Sequence, residues 1–208
     1  MKTHTSFDRF AKEYDHWFDL HVELYQSELL ALKMAIPIDK KGIEIGVGTG
    51  RFAEPFNIKF GVEPSENMAQ IARKRGVEVY PGLAEKLPVE NQSFDFVTMV
   101  TTDCFLENKL VAFSEVHRIL KPNGIFILGL IDRMSELGKN YEQKKSTNKF
   151  YKAAHFNSTE ELTELLSISG FDHFQYWQTI LYPELKEVEQ PQAYYGKGGF
   201  VVIKAIKI

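Results

Sequence analysis

The feature that most constrains the fold of this chain is a short apolar segment that runs directly into three glycines. Residues 41–51 read KGIEIGVGTGR, so single residues separate Gly46, Gly48 and Gly50. Glycine adopts positive φ angles without steric cost, and it has no Cβ atom to keep a ligand away from the main chain. We therefore predict a strand over residues 43–47, followed by a turn whose backbone contacts a ligand.

Alternating strands and helices are predicted around and beyond this turn. Apolar segments that predict strands are separated by amphipathic segments that predict helices, a pattern typical of a doubly wound α/β sheet. The last strand is close enough to the one before it to pair antiparallel, whereas the other strands are expected to be mostly parallel. The seven predicted strands span residues 43–47, 60–63, 77–80, 94–100, 125–131, 171–181 and 200–208.

Two segments lie outside this alternation. In residues 1–36, apolar side chains recur every three or four positions, which predicts one or two amphipathic helices ahead of the first strand. Residues 132–157 are rich in charge but also contain aromatic residues, which indicates an inserted helix or lid rather than a disordered tail. We expect residues 1–208 to form a single domain in which these two segments cover the sheet.

Composition narrows the functional classes. A formal charge of −3, with acids and bases mixed along the chain, predicts no basic surface for a nucleic acid. No segment approaches the roughly 20 apolar residues that a membrane span needs, and no targeting segment is evident. Cys104 is the only cysteine, so no internal disulfide and no metal site are expected. We expect a cytoplasmic protein, and a homodimer is left open.

Chemically informative residues follow several predicted strands, at the carboxyl ends where open α/β sheets bind ligands. Glu63 ends the second predicted strand, 17 residues after Gly46. A carboxylate at this place can accept hydrogen bonds from both hydroxyls of a ribose, so the ligand is expected to contain a nucleoside. The third glycine comes one residue earlier than in the dinucleotide pattern G-x-G-x-x-G, which disfavours a nicotinamide-dependent dehydrogenase.

These motifs, in this order, resemble the class I S-adenosylmethionine-dependent methyltransferases, in particular the type 11 group of small-molecule enzymes that includes quinone-biosynthesis methyltransferases. EIGVGTG at residues 44–50 is similar to the first motif of that family, and GVEPS at residues 61–65 to its ribose motif. AEKLP at residues 84–88, followed by SFDFV at residues 93–97, resembles its adenine loop and fourth strand. EVHRILKPNG at residues 115–124 resembles the helix and turn before its fifth strand.

The resemblance implies a Rossmann-like methyltransferase fold, with S-adenosylmethionine as cofactor and S-adenosylhomocysteine as product. It assigns the methionine moiety to Glu44 and the backbone of residues 46–50, the ribose to Glu63, and the adenine to residues 83–85. The residues expected to bind the cofactor are Glu44, Gly46, Val47, Gly48, Thr49, Gly50, Glu63, Pro64, Leu83, Ala84, Glu85 and Thr101.

Leu83 departs from the family pattern. Members of the family often carry an acid just before the alanine of the adenine loop, where it accepts a hydrogen bond from the adenine amine. Leucine can pack on the adenine ring but cannot accept that bond. We expect the neighbouring backbone or Glu85 to compensate, or the cofactor affinity to be lower by about 1 kcal/mol.

A methyltransferase of this kind needs no catalytic triad, because the sulfonium of the cofactor already activates the methyl group. The enzyme aligns the acceptor for in-line displacement and excludes water. A general base helps only when the acceptor keeps its proton, and the candidates for that role are Asp103, His155 and Tyr14, with Tyr151 and His16 as further possibilities.

The expected activity is methyl transfer to a small-molecule acceptor. The absence of a convincing base, together with Leu83, leaves one alternative open. In that alternative, the chain is a nucleoside-binding module that retains the cofactor site but transfers nothing.

Overall fold

The computed structural model describes residues 4–182, 184 and 186–208, with side chains from residue 6 onward. The helices in the described part of the chain are α1 (His4–Arg9), α2 (Ala11–Leu20), α3 (Val22–Lys33), α4 (Glu66–Lys74), α5 (Lys109–Ile119), α6 (Glu136–Lys144) and α7 (Thr159–Ile168). The strands are β1 (Gly42–Ile45), β2 (Phe60–Glu63), β3 (Glu78–Pro81), β4 (Phe94–Val100), β5 (Leu120–Ile131), β6 (Phe171–Thr179), β7 (Gln192–Ala193) and β8 (Phe200–Lys207).

The strands form one sheet in the order β3-β2-β1-β4-β5-β8-β6-β7. Strands β1 to β5 are mutually parallel, and β8 runs antiparallel to both of its neighbours. The predicted doubly wound, mostly parallel sheet with an antiparallel last strand is therefore confirmed. The predicted count of seven strands is wrong, because Gln192–Ala193 pairs with β6 as an eighth strand at the sheet edge. A two-residue strand is defined by its backbone partners and leaves no apolar period in the sequence.

Other differences concern the ends of elements. Three helices rather than one or two precede β1, and a single 3₁₀ turn at Glu54–Phe56 follows the glycine turn. Strand β5 begins at Leu120 rather than at the predicted residue 125, because Leu120 already pairs with Phe94. The next pair is Phe96 with Ile125, so the turn-forming residues 121–124 lie in an irregularity of the pairing with β4.

Helices cover both faces of the sheet, and the core is divided between the two sides. Along β8, Val201 and Ile203 point into one apolar cluster, which helices α5 and α7 cover. Phe200 and Val202 point into the other cluster, which helices α3 and α4 cover. Because successive side chains of a strand face opposite sides, a strand covered on both faces needs an almost unbroken apolar run.

Two aspartates connect the N-terminal helices to the sheet. Asp15 of α2 accepts hydrogen bonds from Arg51, directly after the glycine turn, and from Arg75, at the end of α4, at 2.8–3.1 Å. Burial by itself raises the pKa of Asp15, but the hydrogen bonds from the two arginines outweigh it and lower the pKa to about 2. Asp8 of α1 accepts a hydrogen bond from the Ser65 hydroxyl at 2.8 Å.

The 132–157 segment lies against the N-terminal helices. Asp132 fixes its start by accepting hydrogen bonds from the backbone and the hydroxyl of Thr159. An ion pair joins Lys149 to Glu13 of α2, and the ring of Phe150 packs on that of Tyr14 with 5.4 Å between centroids. Contacts between segments more than 100 residues apart thus build one continuous wall beside the carboxyl ends of the strands.

We expect Asp15→Asn to lower the free energy of unfolding by about 2 kcal/mol at neutral pH, because it removes the charged partner of two arginines. The matched control is Asp19→Asn, since the Asp19 side chain is half exposed and pairs with Arg51 and with the exposed His16. The control should cost less than about 1 kcal/mol. Urea denaturation measures both values, and equal losses for the two variants would contradict the role of Asp15.

The difference in stability between the wild type and Asp15→Asn is expected to depend on pH. The contribution of Asp15 is fully present above its unfolded pKa of 3.8 and is lost as the pH falls through about 2. Wild type and Asp15→Asn should therefore converge in stability in acid. A gap that stays constant down to that pH would show that Asp15 acts through packing rather than through its charge.

Candidate active site

The glycine turn after β1 is fixed by close contacts that only glycine permits. Gly46, Gly48 and Gly50 have φ angles of +70°, +54° and +83°. A Cβ atom on Gly46 would lie 2.4 Å from Oγ1 of Thr102, and one on Gly50 would lie 3.2 Å from Cα of Ala72. A Cβ atom on Gly48 would meet nothing closer than 3.6 Å. The turn is therefore packed against the protein at its two ends and open at its middle.

Glu63, at the end of β2, holds this turn in place. The N–H of Gly48 donates to Oε2 of Glu63 at 2.9 Å, and the N–H of Ser65 donates to Oε1 at 2.9 Å. Burial raises the pKa of Glu63 to about 7, although the two N–H bonds favour the ionised form. Each carboxylate oxygen keeps a second lone pair, so Glu63 can still accept hydrogen bonds from a ligand.

Glu44 lies beneath the turn and is almost fully buried. Oε2 of Glu44 has no hydrogen-bond partner among the described residues. Thr98 is the register partner of Glu44 on the neighbouring strand β4, and its Oγ1 has no partner there either. Burial, and after it the charge of Glu63, raises the pKa of Glu44 well above its ordinary value. Buried polar atoms without partners indicate a ligand or water that supplies them.

A cavity opens above Gly48, with an empty volume of about 800 Å³, part of it open to solvent. We call it the glycine-turn cavity. Nine of the residues singled out from the sequence line it: Tyr14, Gly46, Gly48, Glu63, Pro64, Leu83, Ala84, Glu85 and Thr101. Those that do not line it are Glu44, Val47, Thr49, Gly50, Asp103 and His155, together with the further base candidates Tyr151 and His16.

The residues of the turn that do not reach the cavity have structural contacts instead. Val47 packs its side chain against Gly61 of β2, where a Cβ atom would come within 2.6 Å of it. Thr49 and Gly50 are buried, and the carbonyl of Thr49 accepts a hydrogen bond from Arg75 at 2.7 Å. These contacts support the turn on the side away from the cavity.

The loop at residues 83–85 forms the opposite wall of the cavity. Leu83 is about half exposed at the rim, and Ala84 is buried. Oε1 of Glu85 accepts hydrogen bonds from the N–H groups of Glu107 and Asn108, at 2.9 and 3.3 Å. One oxygen of Glu85 is therefore already engaged by the protein. The wall next to Leu83 is apolar and suits the face of an aromatic base.

Thr101, at the end of β4, has an unusual backbone conformation. Its φ angle is +48°, while its N–H donates to the carbonyl of Gly129 at 2.7 Å. A left-handed conformation costs a non-glycine residue about 1 kcal/mol, and such strain concentrates at functional sites. Nothing in the amino-acid pattern predicts this angle, because it follows from the pairing of β4 with β5.

The three candidate bases occupy different surroundings. Asp103 is buried, accepts a hydrogen bond from Nδ2 of Asn157 at 2.9 Å, and has its pKa raised to about 6 by burial. The side chain of His155 is exposed, and its backbone N–H donates to the carbonyl of Cys104. Only Tyr14 faces the glycine-turn cavity. Burial, and after it the charge of Glu28, raises the pKa of Tyr14 above its ordinary value.

A second cavity adjoins the first, and Tyr14 and Thr101 line both. We call it the aromatic chamber; its empty volume is about 550 Å³, part of it open to solvent. Helix α2 and the 132–157 segment contribute most of its rings, namely Tyr14, Trp17, Phe18, Tyr141, Phe150 and Tyr151.

The aromatic chamber also contains Glu28 of α3, which sequence reasoning missed. Glu28 is only 8% exposed, and burial raises its pKa to about 8. A signal for its burial was present, because Glu28 lies four residues from both Leu24 and Leu32 and therefore shares their face of the helix. No motif accompanied that signal.

No group of three or more His, Cys, Asp or Glu side chains in the described part of the chain is arranged to hold a metal ion. Likewise, none of the described helices is long and apolar enough to cross a membrane.

Comparison with known proteins identifies the family. A sequence family described as a methyltransferase domain matches residues 43–128. A SAM-dependent methyltransferase from Thermotoga maritima, described as a possible histamine N-methyltransferase, is 51% identical, with a TM-score of 0.95 over 99% of this chain and 100% of its own. The uncharacterized protein MJ1123 of Methanocaldococcus jannaschii is 48% identical, over 97% of this chain and 98% of its own. The demethylmenaquinone methyltransferase of Staphylococcus aureus is 25% identical, over 82% of this chain and 85% of its own.

The chain therefore belongs to the class I S-adenosylmethionine-dependent methyltransferases. The predicted family, its Rossmann-like fold and S-adenosylmethionine as cofactor are confirmed. The assignment of individual residues to parts of the cofactor stays a prediction.

We expect Glu63→Ala to weaken the binding of S-adenosylhomocysteine at least about tenfold, because one charged hydrogen bond contributes about 1.5–3 kcal/mol. Affinity for the wild type should rise from about pH 6 to about pH 8 as the Glu63 carboxyl ionises through its pKa of about 7. Isothermal titration calorimetry measures both effects.

Glu63→Gln is the control for the pH effect, because it keeps the shape of the side chain and does not titrate. Its affinity should be flat over the same pH range. The exposed Glu66 provides a second control, and Glu66→Gln should bind like the wild type. An unchanged isotherm for Glu63→Ala would overturn the assignment of Glu63 to the ribose.

Proposed function

We propose that this chain transfers the methyl group of S-adenosylmethionine to a small-molecule acceptor that binds in the aromatic chamber. The observation that carries the proposal is the contact between the two cavities at Tyr14 and Thr101. A cofactor in the glycine-turn cavity and an acceptor in the aromatic chamber would meet at these two residues. In-line displacement requires such a meeting of two separately held reactants.

The bound cofactor would supply a methyl group that its sulfonium already activates. In this proposal, Glu63 binds the ribose, the residues around Leu83 pack on the adenine, and the backbone at Gly48 approaches the methionine moiety. The rings around Tyr14 exclude water from the reacting atoms. Because its pKa is raised, Tyr14 keeps its proton at neutral pH and orients the acceptor by a hydrogen bond rather than acting as a base.

The size and position of the aromatic chamber support a small acceptor. The chamber lies behind helix α2 and the 132–157 segment, which a folded protein or a nucleic-acid duplex would have to displace. The names of two relatives also support a small-molecule acceptor, since histamine and demethylmenaquinone are both small molecules. Those two acceptors differ in chemistry, so the relatives by themselves do not select one for this chain.

The test uses the purified full chain and S-adenosylmethionine labelled in its methyl group. Three mixtures are offered separately: small metabolites, proteins and RNA from a cell extract. We expect label in small metabolites alone, with a rate at least about tenfold lower for Glu63→Ala because that variant binds less cofactor. Label confined to protein or RNA would contradict the proposal.

The same experiment separates an enzyme from a binding module. If S-adenosylmethionine binds in calorimetry and no mixture takes up label, the chain retains the cofactor site without transferring the methyl group. Binding and labelling must therefore be measured on the same preparation.

A further inference from the structure

We propose that the acceptor is a small organic amine, and that its ammonium group binds to the carboxylate of Glu28 between the rings of the aromatic chamber. This inference rests on the proposed methyltransferase function and adds the chemical class of the acceptor. It also assigns a binding role to Glu28. The atom that receives the methyl group is a separate question.

The first observation is the isolation of Glu28. Its side chain is 8% exposed, it faces the aromatic chamber, and no hydrogen bond or ion pair from a described residue reaches its carboxylate. A buried carboxyl group without a partner is costly in its protonated form and more costly when ionised, and such a group marks a place where a ligand or water supplies the partner. An ammonium ion offers the opposite charge and three hydrogen-bond donors.

The second observation is the surrounding rings. Tyr14 lies 5.5 Å from Phe18 and 5.4 Å from Phe150, and Tyr141 lies 5.0 Å from Tyr151, measured between ring centroids. Aromatic faces attract cations through their quadrupoles, most strongly where water is excluded. A carboxylate at one wall and rings at the others are together suited to an ammonium group that carries an apolar body.

The third observation is the charge of the lining. The described lining residues include one carboxylate and no Lys, Arg or His side chain. A carboxylate or phosphate acceptor would find no cation to bind and would meet repulsion from ionised Glu28. A neutral acceptor with a hydroxyl could hydrogen-bond to the Glu28 carboxyl but would bring no charge to balance its ionised form. An ammonium group supplies both the donors and the charge, so the lining favours a cation.

The titratable groups that face Glu28 do not compete with an amine for its charge. They are Tyr14 from α2, Tyr25 from α3 itself, Tyr141 from α6 and Tyr151 from the turn after α6. Burial raises the pKa of each hydroxyl, and the charge of Glu28 raises it further. All four stay protonated and neutral, so the amine would supply the positive charge.

The binding of an amine through Glu28 has a characteristic pH dependence. Without a ligand, the Glu28 carboxyl has a pKa of about 8 and holds a proton at neutral pH. An ammonium ion binds the ionised form, so binding below about pH 8 releases that proton. The affinity should therefore rise by up to about tenfold per pH unit between about pH 6 and pH 8.

The test measures binding of matched probes to the full chain saturated with S-adenosylhomocysteine. The probe pairs are ethylamine with ethanol, 2-phenylethylamine with 2-phenylethanol, and 1,4-diaminobutane with 1,4-butanediol. We expect at least one amine to bind about tenfold or more tightly than its alcohol at pH 8, as an ion pair desolvated among rings would provide. That preference should shrink as the pH falls towards 6.

Glu28→Gln should abolish both the preference and its pH dependence while leaving the affinity for S-adenosylhomocysteine unchanged. The matched control is Glu23→Gln, which makes the same charge change at an exposed position of the same helix and should behave like the wild type. Glu28→Gln is expected to fold, because it replaces a buried acid by a neutral group of the same shape. Circular dichroism verifies this.

Three results would overturn the inference: no amine preference in any pair, a preference that survives Glu28→Gln, or a preference for the alcohols. Labelled methyl transfer is then measured with the same probes. Amine preference without any methylated product would contradict the proposed function alone. Methylated alcohols without amine preference would contradict the amine assignment alone.

Discussion

The hydrogen bonds of Glu63 are the interaction on which the glycine turn and the cavity above it depend. One carboxylate oxygen holds the N–H of Gly48 in the turn after β1, and the other holds the N–H of Ser65 at the start of α4. A single buried side chain thus joins two neighbouring strand ends. The close contacts of Gly46 and Gly50 with the protein leave Gly48 as the open point of the turn. Backbone and carboxylate are therefore already arranged before a ligand binds.

The aromatic chamber depends on two segments that are distant from each other in sequence, helix α2 and residues 132–157. Asp15 ties helix α2 to Arg51 and Arg75, which places the rings of α2 beside the strand ends. The 132–157 segment completes the aromatic chamber from the other side. Tyr14 and Thr101 line both cavities. Tyr14 is positioned by helix α2, and Thr101 by the strained backbone at the end of β4. The proposed function thus requires that helix α2 and the 132–157 segment keep a fixed position relative to the sheet.

The site was predictable from sequence where its parts are local. The glycine turn, Glu63 and the loop at residues 83–85 are short motifs in which neighbouring residues determine backbone conformation, and the structure brings them around one cavity. Asp103 follows β4, but its side chain bonds to Asn157 and does not line that cavity. His155 lies in the 132–157 segment, and its side chain is exposed. Neither orientation follows from local sequence.

The sequence alone therefore determined the alternating sheet, the cofactor class and the carboxylate expected at the ribose. These depend on apolar period and on glycine geometry, which act over a few residues. Only the tertiary structure decided the two-residue edge strand β7, the conformation of Thr101 and the surroundings of Glu28. Helical period shows that Glu28 is buried, but the rings that it faces come from helix α2 and from residues more than 100 positions further along the chain. Periodicity encodes burial, whereas the identity of the partner is decided only when the chain folds.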